Sequence, residues 1–190
     1  MKILAIDQSL TATGVAAFVD GNFVPTLLAP KKLKGAERLD WFRTRITTML
    51  LSIDPDVVVM EGYAYAAKFS HAHSLGELGG IIKLAILDQH KRVPLKLLVV
   101  PPTTLKKFVS GKGNCKKAEI LLHVYKRWGE TFSDDNLADA YALAMVGSAK
   151  FDLDFEAGIT QEMVKIAASI PLEDLPQKVH AHRQRVRTQK

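Results

Sequence analysis

The chain has 190 residues, 47% apolar and 24% charged, the composition of a folded globular protein rather than a disordered or fibrous one. Its single cysteine, Cys115, excludes an internal disulfide and any thiolate metal cluster built by one chain, and fits a reducing cytoplasm. The net charge of +6 permits a polyanionic partner without requiring one, and no apolar run approaches the ~18 residues of a membrane helix, so a cytoplasmic protein with no membrane association is expected.

In chain order, Lys2–Gln8 reads as a short buried strand and Gly14–Val19 as a second. Asp20-Gly21-Asn22 is a hairpin turn leading to a third strand near Phe23–Leu28. Ala36–Ile53 is amphipathic at helical spacing through Leu39, Phe42, Ile46, Met49 and Leu50, and Pro55 follows its end. Val57–Met60 is a β-branched run of the kind found in strands covered on both faces. Leu75–His90 reads as a helix, and Leu95–Val100 as a strand stopped by Pro101-Pro102. A basic helix over Leu105–Val109 breaks at Ser110-Gly111-Lys112-Gly113-Asn114. Helices follow over Lys116–Trp128 and Asp135–Ser148, the latter capped by Ser133 or Asp134, and a further one over Gln161–Ser169. This order predicts an α/β fold, with a mixed central sheet of about five strands and helices on both faces. The expected organisation is one domain over residues 1–150, with a helical extension and basic tail over 151–190. Residues 177–190 hold Lys178, Arg183, Arg185, Arg187 and Lys190 and no acid, so the rest of the chain carries only +1.

Three acids sit where a solvated face is a poor explanation. Asp7 ends the run Ile3-Leu4-Ala5-Ile6, Glu61 ends Val57-Val58-Val59-Met60, and Asp139 lies inside the apolar helix around Leu137–Ala144. Asn136 and Asp135 precede Asp139 by three and four residues, both on its face of the helix. Strand-end carboxylates point into the crevice at the carboxyl edge of a parallel sheet. If the first and fourth strands are neighbours and the helix packs over that edge, the acids converge and raise one another's pKa. Divalent cations remove that penalty; Mg²⁺ suits hard oxygen ligands, and two ions at ~4 Å can drive phosphodiester cleavage. Taken singly, each acid has a plainer reading, as a helix cap, a first-turn acid or an ion-paired rim residue.

At these residues the sequence resembles the RuvC family of Holliday junction resolvases, within the RNase H-like superfamily. Ile6-Asp7-Gln8-Ser9-Leu10-Thr11-Ala12-Thr13-Gly14 is similar to the family's first-strand aspartate motif. Val58-Val59-Met60-Glu61 is similar to its second-acid strand, and Leu75-Gly76-Glu77-Leu78-Gly79-Gly80 to the helix that follows. Lys106–Gly113 with Lys116-Lys117 resembles its DNA-contacting stretch, and Asp135-Asn136-Leu137-Ala138-Asp139-Ala140 its closing helix motif. The blocks span about residues 1–148. The family sets its two closing acids three residues apart, and here that position is Asn136; Asp135, one residue off, is taken as the fourth carboxylate, with Asn136 as a neutral ligand.

The resemblance implies an RNase H-like nuclease of a bacterial cell or phage-infected host. It would be a homodimer that grips a four-way DNA junction and nicks opposed strands, leaving 5′-phosphate ends, in DNA recombination and repair. Asp7, Glu61, Asp139 and Asp135 would be catalytic and, with Asn136, hold two Mg²⁺, for which Mn²⁺ can substitute. Lys106, Lys107, Lys112, Lys116 and Lys117 would meet phosphates, and Tyr63 or Tyr65 a splayed base. The helix carrying Gly76, Gly79 and Gly80 would pack closely, either on a second subunit or within its own. Rival readings are a broader branched-DNA nuclease acting on forks and flaps, a non-catalytic junction binder, and a small ATPase of the actin and sugar-kinase type. The last lacks a second phosphate motif and an adenosine motif.

Overall fold

The computed structural model describes residues 1–19, 21–63, 69–151 and 158–176, with the backbone alone at 69–71. Its six-stranded sheet has the order β3-β2-β1-β4-β5-β6, where β1 is Ile3–Asp7, β2 Thr13–Val19, β3 Asn22–Leu28, β4 Val57–Glu61, β5 Lys96–Val100 and β6 Leu172–Glu173. Strands β1, β4 and β5 run parallel, while β2, β3 and β6 are antiparallel to their neighbours. The first and fourth strands are thus adjacent, which sets their two terminal acids side by side. The sixth strand has only two residues, and its pairing of Leu97 with Glu173 and Leu98 with Leu172 depends on the free edge of β5.

Alternation along the strands divides the interior in two. Ile3, Ala5, Val57 and Val59 face one core, with helices α3 (Pro102–Ser110), α4 (Lys117–Trp128), α5 (Asp135–Lys150) and α6 (Gln161–Ser169). Leu4, Ile6, Val58 and Met60 face the other, with α1 (Gly35–Ile53) and α2 (Phe69–His90). A continuous apolar strand such as Val57-Val58-Val59-Met60 is what a sheet covered on both faces demands.

Helix α5 lies across β1, β2 and β4 and is buried over nearly its whole length. Gly147 allows this, because a Cβ there would stand 2.8 Å from Val59 Cγ2. Helix α6 packs on α5 and α3, held by Lys150, whose Nζ donates to the carbonyls of Ala167, Ala168 and Ile170 at 3.3, 3.2 and 2.6 Å. A lysine at a helix C-terminus satisfies carbonyls that have no partner within the helix. Two helix starts lie earlier than periodicity suggests. Helix α3 begins at Pro102, a residue suited to a first turn, and α2 begins at Phe69. Tyr65 and the basic tail beyond Pro176 lie outside the described residues.

Candidate active site

Three elements deliver the buried acids. Asp7 ends β1 and Glu61 ends β4, one position beyond the paired residues Ile6 and Met60. Asp139 comes from the second turn of α5. That helix reaches the strand ends because Gly14, the partner of Asp7 on β2, has no side chain; a Cβ there would drive into the Asn136 carbonyl. Asp134 caps the helix, its Oδ1 accepting from the Asn136 backbone N–H at 2.9 Å.

The result is a cleft of about 400 Å³ lined by Asp7, Gln8, Glu61, Asn136 and Asp139, with Lys106 and Lys117 on the side facing them. Asp7 is 4% exposed and Asp139 7%. Burial, followed by the charges of Glu61 and Asp139, lifts the Asp7 pKa well above the ordinary carboxyl range, and Asp7 shares a hydrogen bond with Glu61. Burial raises Glu61 as well, opposed by that hydrogen bond and by Lys117 and Lys106. Asp139 is pushed up to about 7, by burial first and then by Glu61. All three carboxyls resist ionising through burial, and Asp7 and Asp139 also through the charge of their neighbours; a bound cation would favour the ionised form of each.

The flanking acid behaves differently. Asp135 Oδ2 accepts from Lys117 Nζ at 2.5 Å, its carboxylate is held below the usual range by that bond, and it does not line the cleft. Burial works to lower the Lys117 pKa, but Asp135, with Asp139 and Asp7 beyond, keeps the ammonium above its ordinary value. Among the described residues no three His, Cys, Asp or Glu side chains stand in metal-holding geometry. The donor chemistry still fits a hard divalent cation, since the cleft lining offers the carboxyls of Asp7, Glu61 and Asp139 and the amides of Gln8 and Asn136, all hard oxygen donors. Gln8 adds to this fit. It is 6% exposed, its Nε2 donates to the Glu61 carbonyl at 2.9 Å, and its Oε1 is buried with no hydrogen-bond partner. The sequence places Gln8 inside the aspartate motif without giving it a role. Its signal was a polar residue directly continuing an apolar strand.

Of the lysines, Lys106 and Lys117 line the cleft, while Lys107, Lys112 and Lys116 stand exposed on α3 and on the connection to α4. The Ser110 hydroxyl shapes that connection, donating to the Lys106 carbonyl at 2.9 Å and accepting from the Lys112 N–H at 3.1 Å. Tyr63 is 43% exposed, with its hydroxyl leaning on α2 at Gly79 and 3.5 Å from the Gly76 carbonyl. The glycines of α2 divide. A Cβ at Gly79 would strike the Tyr63 hydroxyl and stand 2.7 Å from Gln8 Oε1, so close packing within the subunit explains it. Gly76 and Gly80 face open space, in line with Leu84 one turn further on, which is 58% exposed.

A larger hollow of about 700 Å³ lies between the β2–β3 hairpin and α5, among Phe23, Trp128, Phe132 and Tyr141. It has no converging carboxyls, and burial with Glu130 pushes the Tyr141 hydroxyl up to about 12, out of reach of acid–base work near neutral pH. The buried carboxyls are gathered in the smaller cleft instead.

No family model matches the chain. In fold it is similar to Thermus thermophilus RuvC, with a TM-score of 0.65 at 21% identity, covering 84% of this chain and 100% of that one. A structure of T. thermophilus RuvC in complex with Holliday junction substrate aligns with the same score at 19% identity. In sequence it is 28% identical over 152 residues to the crossover junction endodeoxyribonuclease RuvC of Thermotoga petrophila, covering 76% of this chain and 90% of that protein. It is 35% identical over 119 residues to the enzyme of the same name from Chlamydia trachomatis serovar L2, covering 60% of this chain and 68% of that one. With the acids of β1, β4 and α5 meeting at the edge of that shared fold, the chain belongs to the RuvC family.

Proposed function

We propose that the chain is a Holliday junction resolvase, a metal-dependent endonuclease that nicks opposed strands of four-way DNA. The observation that carries this reading is the convergence of Asp7, Glu61 and Asp139 beside the lysines of α3 and α4, in a member of the RuvC family. The three acids, with Asp135 or Asn136 as a fourth donor, would hold two Mg²⁺, for which Mn²⁺ can substitute. When bound at such a site, these ions supply an activated water and electrostatic stabilisation of the departing 3′ oxygen. Lys117 and Lys106 offer charge to the non-bridging oxygens of a phosphate entering the cleft. Lys107, Lys112 and Lys116 extend that charge along the backbone path, giving affinity without sequence readout. Hydrolysis by water needs no covalent intermediate and leaves 5′-phosphate ends. Tyr63, half exposed beside the cleft, is placed to stack on an unpaired base.

A two-fold substrate is met most simply by a two-fold dimer. The Gly76–Gly80–Leu84 stripe on α2, open along its length, supports that helix as the surface where two copies meet. The test is a synthetic four-way junction beside a fork, a flap and a matched linear duplex, in Mg²⁺ or EDTA, with Glu61→Gln as the control. Paired symmetric nicks on the junction, lost in EDTA and in the variant, support a resolvase. Equal cutting of forks and flaps would make it a broader branched-DNA nuclease. Tight junction binding with no cleavage in any metal would leave a junction-binding protein.

A further inference from the structure

Asn136 stands three residues before Asp139, and an acid stands one residue earlier still, at Asp135. Both positions share a helical face with Asp139, so spacing cannot decide between them. Their hydrogen bonds can. Asp134 Oδ1 accepts from the Asn136 backbone N–H and from its Nδ2, each at 2.9 Å. An ionised carboxylate only accepts, so the amide nitrogen is pinned at the helix cap and the amide oxygen is the end turned away from it. Asn136 lines the cleft with Asp7, Glu61 and Asp139. Asp135 does not, and its carboxylate is taken by Lys117 at 2.5 Å.

We propose that Asn136 Oδ1 is the fourth oxygen donor of this site, and that Asp135 is a positioning residue that holds the Lys117 ammonium at the mouth of the cleft. The inference rests on the nuclease reading above and goes further, because it divides two neighbouring residues between metal and phosphate. Asp134 becomes part of the site as well, since its carboxylate fixes which end of the amide faces inward. A neutral fourth donor leaves three carboxylates to bind the cations. The charge that an Asp at position 136 would have brought is instead spent outside the cleft, on orienting a cation toward the substrate. Lys117 senses Asp139 and Asp7 as well as Asp135. Released from Asp135, it would be drawn inward toward the carboxyls that a divalent cation must occupy.

The experiment is calorimetric titration of the full chain, free of DNA, with Mn²⁺ and with Mg²⁺. Wild type is compared with Asn136→Ala, Asn136→Asp and Asp135→Asn, and thermal melts in EDTA check that each variant folds. Asn136→Ala should weaken metal binding by about tenfold or more, and Asn136→Asp should tighten it. Asp135→Asn should keep metal affinity within about threefold while turnover on a four-way junction falls about tenfold, with partial rescue by Asp135→Glu. Loss of metal affinity in Asp135→Asn with Asn136→Ala unchanged would overturn the assignment, and so would equal losses in both. If Asn136→Ala does not fold, the assignment rests on Asn136→Asp, and unchanged affinity there overturns it. A wild-type chain that binds neither ion would remove the nuclease reading and the inference together. Metal binding with the wrong ranking removes the inference alone.

Discussion

Asp139→Asn should make this protein more stable while destroying its chemistry. Asp139 is 7% exposed, and its carboxyl is raised from 3.8 to about 7 by burial and by Glu61. A carboxyl raised on folding binds its proton more tightly in the folded state than in the unfolded one. Its favourable contribution is therefore fully present below pH 3.8 and is lost as pH rises to about 7. Above that, keeping the group ionised in place costs roughly 4 kcal/mol relative to the unfolded chain. Asparagine has nearly the same shape and no charge, so the variant escapes that cost. For a chain of this length, 4 kcal/mol corresponds to a rise in Tm of about 8–16 °C. The assay is a set of thermal melts in EDTA from pH 5 to pH 8. The gap should be widest at pH 8 and shrink to under about 2 kcal/mol at pH 5, where wild-type Asp139 is already protonated. Saturating Mg²⁺ at pH 8 should narrow it again by stabilising the wild type alone. A variant that melts at or below the wild type at pH 8 in EDTA would refute the reasoning, and so would a gap that does not narrow with acid.

Gly147→Ala should lower stability by about 1–3 kcal/mol, because the new methyl stands 2.8 Å from Val59 Cγ2 at the centre of the sheet. Melting measures this, and an unchanged Tm would mean that α5 can shift freely. Lys150→Met should loosen α6 by about 1–3 kcal/mol, through the loss of three carbonyl contacts. Faster amide exchange confined to α6 is the expected readout, and exchange no faster than wild type would count against it. Lys112→Ala should weaken junction binding and reduce the slope of affinity against salt by about 1, with no change in sequence preference. An unaltered slope would place Lys112 off the DNA path.

Asp7 and Glu61 could be found from sequence because each abruptly ends an apolar run, a pattern that only a strand edge or a site explains. Asp139 could be found because an acid inside Leu137–Ala144 has no solvated face to occupy. The sheet order beyond the hairpin was less accessible. Strand β6 is two residues long and exists only because β5 offers an edge, so no local signal marks it. The first turn of α2 leaves no mark in the sequence, because Phe69-Ser70-His71-Ala72-His73 carries no apolar period. The choice between Asp135 and Asn136 could not be made from spacing. The two residues differ through Lys117 on another helix, which takes Asp135, and Asp134 outside the helix, which takes the Asn136 amide, and neither pairing follows from the order of residues. The role of Gly14 was hidden for the same reason, since the Asn136 backbone it accommodates arrives from far along the chain.

The three buried acids come from the first strand, the fourth strand and the fifth helix, and that helix also fills the centre of one core. During synthesis the first two acids emerge long before the third, on strands whose covering helix has not yet been made. No nascent chain, and no proteolytic fragment ending before α5, can assemble the full set of acids. Closing that set requires contacts of high sequence separation, which form late because the intervening chain must be ordered first. The complete set of acids is therefore acquired together with the folded core. A truncated chain that keeps the first two acids still lacks the third, so the topology ties the complete acid set to the completed fold.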